Sequence, residues 1–158
     1  MSGRRPLLIA GLTALATAIA GGAMTRIDGW YRGLEKSSLN PPDWLFAPAW
    51  TVIYALAVMA ATIGWRETRS NADRALLISL FFINAVLNIA WSGVFFTLRR
   101  PDWALAEVAT LWLSVAVIVA FLAGFSRRAS FLMVPYLIWV SFAAYLNYKV
   151  VVLNGPFG

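Results

Sequence analysis

Trp50 and Tyr54 stand four residues apart, which on a helix puts both rings on one face. Asn84, Asn88 and Trp91 share a second face at spacings of four and three, with Ser92 and Phe95 nearby. Tyr136, Trp139, Ala143 and Asn147 repeat those spacings on a third. Flat π faces suit a large, planar, apolar ligand, and a few amides orient it. Any one such stripe reads as core packing, and Asn84 and Asn88 also read as interhelical glue worth on the order of 1 kcal/mol per bond. Three stripes, each carrying polar partners, describe the walls of a pocket.

The 158 residues include no histidine and no cysteine. The commonest general base near neutral pH is therefore missing. Thiolate chemistry, disulfides and Cys-ligated metals are excluded too. Met and Tyr are the ligands left for a haem iron, so a metal-free tetrapyrrole fits the residue set better. No metal and no cofactor is expected. No nucleophile–base pair is evident, which leaves redox or radical chemistry at indole as the one enzymatic route.

The elements that position these faces are membrane spans. The chain is 61% hydrophobic and 13% charged, against a usual charged share of roughly 25%. Its mean hydropathy is +0.72. These values describe an all-α integral membrane protein. The net charge of +6 comes from basic residues lying between apolar runs. Membrane topology and anionic headgroups explain that placement, and nucleic acid is not an expected partner. The apolar runs predict five helices in a single domain over 1–158, at about 7–24, 44–65, 75–98, 103–124 and 131–153. Lys and Arg divide seven to six between the two sides, so charge assigns no orientation.

Between the first two spans lies a long polar loop with the pair Trp30-Tyr31. It reads as a lid or as an interfacial segment in the aromatic belt. Pro41 and Pro42, followed by Trp44, form the hinge where this loop enters helix two. Residues 1–20 also have the form of a signal peptide, with a basic head, an apolar run and Ala18-Ile19-Ala20. Ala10, Ala14, Ala18 and Gly22 make a small-residue stripe for close helix packing. Asp102 is the expected N-cap of helix four. Glu107 reads as a solvated or salt-bridged interfacial residue, with a partly buried carboxylate as the alternative. Asn154 to Gly158 reads as a frayed end.

Several segments carry a resemblance: Asn40-Pro41-Pro42-Asp43-Trp44 with Pro48-Ala49-Trp50-Thr51-Val52-Ile53-Tyr54; Asn84 through Ser92 with Phe95-Phe96; Pro135-Tyr136-Leu137-Ile138-Trp139; and Leu146-Asn147-Tyr148. In order and spacing they resemble the TspO/MBR family, the translocator proteins once called peripheral benzodiazepine receptors. The resemblance implies a five-helix bundle, usually a homodimer, that binds porphyrins such as protoporphyrin IX, and in some members sterols and benzodiazepine-type drugs. It implies that loop one covers the pocket mouth. It carries the family's pocket positions onto Trp50, Tyr54, Asn84, Asn88, Trp91, Tyr136, Trp139, Ala143 and Asn147. One departure is Lys36-Ser37-Ser38-Leu39, where members often have an aromatic. A multi-pass place in a bacterial cell envelope is the expectation that follows.

Three functions stand open. A tetrapyrrole sensor, carrier or regulator accounts for the three faces. A light- or oxygen-dependent porphyrin-degrading enzyme would use Trp50 and Trp139, as the resemblance implies. A sterol or lipid transporter is the third; a coupled one would normally use an ionisable relay at mid-membrane, where Glu107 is the sole candidate.

Overall fold

The computed structural model describes residues 4–158. Helix α1 (Arg4–Met24) leads into a loop that holds the short α2 (Gly29–Gly33) and a 3-10 turn (Asp43–Leu45). Then come α3 (Phe46–Glu67), α4 (Asn71–Ser92) with a π-helical turn (Gly93–Thr97), α5 (Pro101–Ala123) and α6 (Arg127–Asn154). Five helices, α1 and α3 to α6, are long and apolar enough to cross a membrane. At about 1.5 Å per residue each reaches the roughly 30 Å of a hydrocarbon core.

The five helices close a ring. α1 packs on α3 and α4, α4 on α5, α5 on α6, and α6 back on α3. α3 and α4 are neighbours in the chain yet touch little, and α1 bridges the gap between them. The tightest seam is α5 against α6. Val108, Leu111, Val115, Ile118 and Leu122 recur at helical spacing on α5 and are buried against Met133, Tyr136 and Val140. The aliphatic face of α5 is thus core. Gly64 on α3 permits a close approach, since a Cβ there would lie 2.6 Å from a Leu122 methyl.

Several ends differ from the sequence expectation, two of them because of a cap. α4 begins at Asn71, where Ser70 and Asp73 form a capping box. α6 begins at Arg127, because the Ser126 hydroxyl accepts from the Ala129 N–H. Asp102 is not an N-cap. Arg100 holds that position, Pro101 takes the first turn, and Asp102 pairs with Arg100. Glu107 is neither solvated nor paired: both carboxylate oxygens are buried with no hydrogen-bond partner among the described residues. Nor does the tail fray from Asn154. That residue ends α6 and exchanges two hydrogen bonds with the Glu35 backbone, each 2.8 Å. Phe157 packs with Trp30 and Leu34 around Tyr31 and Phe95.

Loop one is therefore fastened at two points, Asp28 and Glu35. Asp28 caps α2 by accepting from Tyr31 N–H at 3.1 Å. It also pairs with Arg99 at 3.0 Å. Arg99 sits at φ 54, the left-handed region a side chain enters at a cost. Its guanidinium lies 5.7 Å from the Trp30 ring centroid. The strained residue is thus the one that holds the loop.

Two outcomes follow from this packing. Gly64→Val overpacks the Leu122 contact and is expected to cost about 1–3 kcal/mol, lowering the thermal midpoint of the solubilised protein. Gly11→Ala, whose Cβ would meet nothing within 4 Å, should leave that midpoint in place. The second concerns Asp28, whose carboxyl is held below its usual range first by the Tyr31 N–H and then by Arg99. A lowered folded value means the anchor is present above the ordinary carboxylate range near about 3.9 and is lost as pH falls through the folded value. Asp28→Asn at pH 7 should therefore speed amide exchange across residues 28–34 while leaving the α5–α6 seam protected.

Candidate functional site

A cavity of about 440 Å³ lies under loop one, walled by α1, α3, α4 and α6. Trp50 and Tyr54 stack along α3 with centroids 5.4 Å apart and planes 27° from parallel. Trp91 leans on Phe95 at 5.2 Å and 31°. Tyr31 descends from the loop onto Phe96 at 5.4 Å. Ala18, Gly21 and Gly22 on α1 and Ala143 on α6 line the same space without large side chains. Lys36, Asn40 and Asp43 bring polar groups to the loop side. The Lys36 ammonium donates to the carbonyls of Tyr31 at 2.7 Å and Leu34 at 3.2 Å, and lies 4.4 Å from the Tyr31 ring centroid. Burial raises the Tyr31 hydroxyl above its ordinary range, so it stays a neutral donor.

The polar side chains beneath the aromatics are matched to one another. The Tyr54 hydroxyl donates to Asn88 Oδ1 at 2.8 Å. Asn88 Nδ2 donates to the Tyr136 hydroxyl at 2.9 Å. Trp91 Nε1 donates to Asn147 Oδ1 at 3.1 Å, and Asn147 Nδ2 donates to the Pro101 carbonyl at 2.8 Å. Asn84 Nδ2 donates to Ser114 Oγ at 2.9 Å. Asn84 links two helices, and Asn88 and Asn147 link three each, which satisfies polar groups buried within a membrane.

Six of the nine expected pocket residues line the cavity: Trp50, Tyr54, Asn88, Trp91, Ala143 and Asn147. Asn84, Tyr136 and Trp139 do not. Tyr136 is 2% exposed and stands behind Asn88. Asn84 and Tyr136 face a second cavity. Trp139 meets Trp50 edge-on at 6.3 Å and 82°, and Phe46 at 5.9 Å. The indole pair is in contact, with Trp50 in the wall and Trp139 behind it.

Of the expected lid and hinge residues, Pro42 precedes the 3-10 turn, which Leu45 N–H closes on the Pro42 carbonyl at 2.9 Å. The Pro41 carbonyl accepts from Asn40 Nδ2 at 2.9 Å. Trp30 packs edge-on against Phe95 at 6.2 Å from outside the cavity. Trp44 is 70% exposed and covers nothing. The loop residues that do line the cavity are Thr25, Ile27, Tyr31, Lys36, Asn40 and Asp43; Tyr31 is the partner of Trp30 in the expected lid pair, and none of the six is among the expected site residues. Phe95 and Phe96 were not expected to line it together either. On a regular helix adjacent residues diverge by a hundred degrees or so, but the π turn leaves both buried. Such turns are frequent at functional sites.

The chain matches the model of the TspO/MBR family over residues 9–153. It is 40% identical over 147 residues to "Tryptophan-rich protein TspO" of Chlorobaculum tepidum, covering 89% of this chain and 90% of that protein. It is 34% identical to "Tryptophan-rich sensory protein" of Cereibacter sphaeroides, over 94% of this chain and 91% of the relative. It is also 37% identical to "Translocator protein" of Sus scrofa, over 77% of this chain and 72% of that one. A ring of five apolar helices, an aromatic cavity under loop one, and these matches across almost the whole chain show that it is a multi-pass integral membrane protein belonging to the TspO/MBR family.

Proposed function

We propose that this protein binds planar, apolar tetrapyrroles, protoporphyrin IX among them, as a sensor, carrier or regulator in a bacterial envelope membrane. The observation that carries the reading is the pair of ring contacts, Trp50 stacked on Tyr54 and Trp91 tilted on Phe95, on two helices around one cavity. A volume of about 440 Å³ lies within the roughly 300–1,000 Å³ usual for small-molecule sites. π faces favour a conjugated macrocycle over a flexible chain. The framework amides are spent on Tyr54, Tyr136 and Trp91, so the walls offer stacking in place of strong polar recognition. Charge enters at the loop, where Asp43 lines the cavity and Lys36 supplies its cation. A porphyrin seated with its apolar edge inward would leave its carboxylates there.

The test is titration of solubilised protein with protoporphyrin IX, read by the shift of porphyrin absorbance. Binding should saturate. Aromatic contacts contribute about 0.5–1.5 kcal/mol each beyond their buried area, so Trp50→Ala should weaken binding by at least about 2–10-fold. Trp103→Phe, on an exposed ring away from the cavity, should not. Lys36→Gln should weaken protoporphyrin IX and spare its dimethyl ester. Unchanged affinity in Trp50→Ala would remove the cavity from the account.

A further inference from the structure

A second cavity, of about 250 Å³, lies between α1, α3 and α4 on the far side of the Tyr54–Asn88–Tyr136 hydrogen bonds. Small residues make it, Ala10 and Ala14 on α1 facing Ala57 and Ala61 on α3. Its inner end is at Tyr54 and Asn84, its outer end at Pro6 and Trp65. Eleven residues of α3 separate Trp65 from Tyr54, which is roughly 16 Å of helix axis. That is about the depth of one leaflet, half of a roughly 30 Å core. The space is apolar, and its volume of about 250 Å³ is below the roughly 300–1,000 Å³ of sites for compact ligands. Its polar floor is already satisfied, Asn84 by Ser114 and Tyr54 by Asn88. The inner end therefore calls for a methyl terminus and not for a polar group.

The outer end differs. Arg74 lies over the Trp65 ring, 5.2 Å from its centroid. Its Nε is buried and has no hydrogen-bond partner among the described residues. Buried polar atoms are nearly always paired, so a donor left open beside the mouth of an apolar channel marks the place of an acceptor. The same end of the bundle carries exposed Arg5, Arg69, Arg127 and Arg128. Its acids are Glu67 and Asp73, and Asp73 is engaged in the Ser70 capping box.

We infer that this cavity holds one acyl chain of an anionic glycerophospholipid whose phosphate is bound by Arg74. The site is separate from the tetrapyrrole cavity and serves a different ligand class. Trp65 is the corner between the two parts, walling the chain on one side and supporting the guanidinium on the other. The lipid supplies the acceptor that Arg74 lacks and fills the space that four alanines leave.

Native mass spectrometry of the full chain, released from micelles containing equal phosphatidylglycerol and phosphatidylcholine, tests this. One phosphatidylglycerol should be retained in preference, by about fivefold for a single arginine contact. Arg74→Gln should bring the two lipids to parity. Ala14→Phe, or Ala61→Leu from the opposite wall, should remove the retained lipid while the protein still elutes as a folded species. Excess glycerol 3-phosphate should not displace it, because the chain is part of the ligand. Equal retention of both lipids by the wild type would overturn the proposal. So would a preference that survives Arg74→Gln, retention that survives both cavity-filling variants, or displacement by glycerol 3-phosphate.

Discussion

The amide of Asn88 is the pivot of this bundle. In hydrocarbon an unsatisfied polar group costs several kcal/mol, and Asn88 meets that constraint by joining three helices. It accepts from Tyr54 of α3 and donates to Tyr136 of α6, at 2.8 and 2.9 Å. Each of the three bonded residues has a tryptophan about one turn away: Trp50, Trp91 and Trp139. Fixing the hydrogen bonds therefore fixes where the indoles stand. Trp50 and Trp91 enter the cavity wall, and Trp139 supports Trp50 from behind. The same bonds lie between the cavity under loop one and the second cavity, which reaches Trp65.

Loop one is held by different means. Its inner contacts are aromatic, Tyr31 on Phe96 and Trp30 on Phe95. Its outer ties are an exposed ion pair to Arg99 and a backbone–amide exchange with Asn154. Exposed ties of this kind are weak compared with the buried amide network. The loop is therefore held less firmly than the ring of helices.

Much of this was legible in the sequence, because the relevant signals are periodic. Apolar runs of helical length marked the five spans. Spacings of three and four grouped Trp50 with Tyr54, Asn88 with Trp91, and Ala143 with Asn147, and these six residues meet in one cavity. What periodicity could not supply was depth and radial order. Trp139 shares its helical face with Ala143 yet stands behind Trp50, since ring geometry across helices decides which indole reaches the space. Glu107 reads as interfacial by its position in the sequence, but its carboxylate oxygens are buried. The π turn has no local signature in Gly93-Val94-Phe95-Phe96-Thr97, and it is what brings both phenylalanines inward. The ties of the lid, Asp28 to Arg99 and Glu35 to Asn154, span 71 and 119 residues and had no pattern to announce them.

The central claim is that a planar tetrapyrrole lies between the α3 and α4 aromatic walls beneath loop one. A structure of the protein with protoporphyrin IX, determined in a lipid bilayer, tests it most directly. The account requires the macrocycle against Trp50 and Trp91, under Tyr31, with its carboxylates toward Lys36 and the Tyr54–Asn88–Tyr136 bonds intact. A macrocycle bound on the outer face of the bundle, touching neither Trp50 nor Trp91, would contradict it.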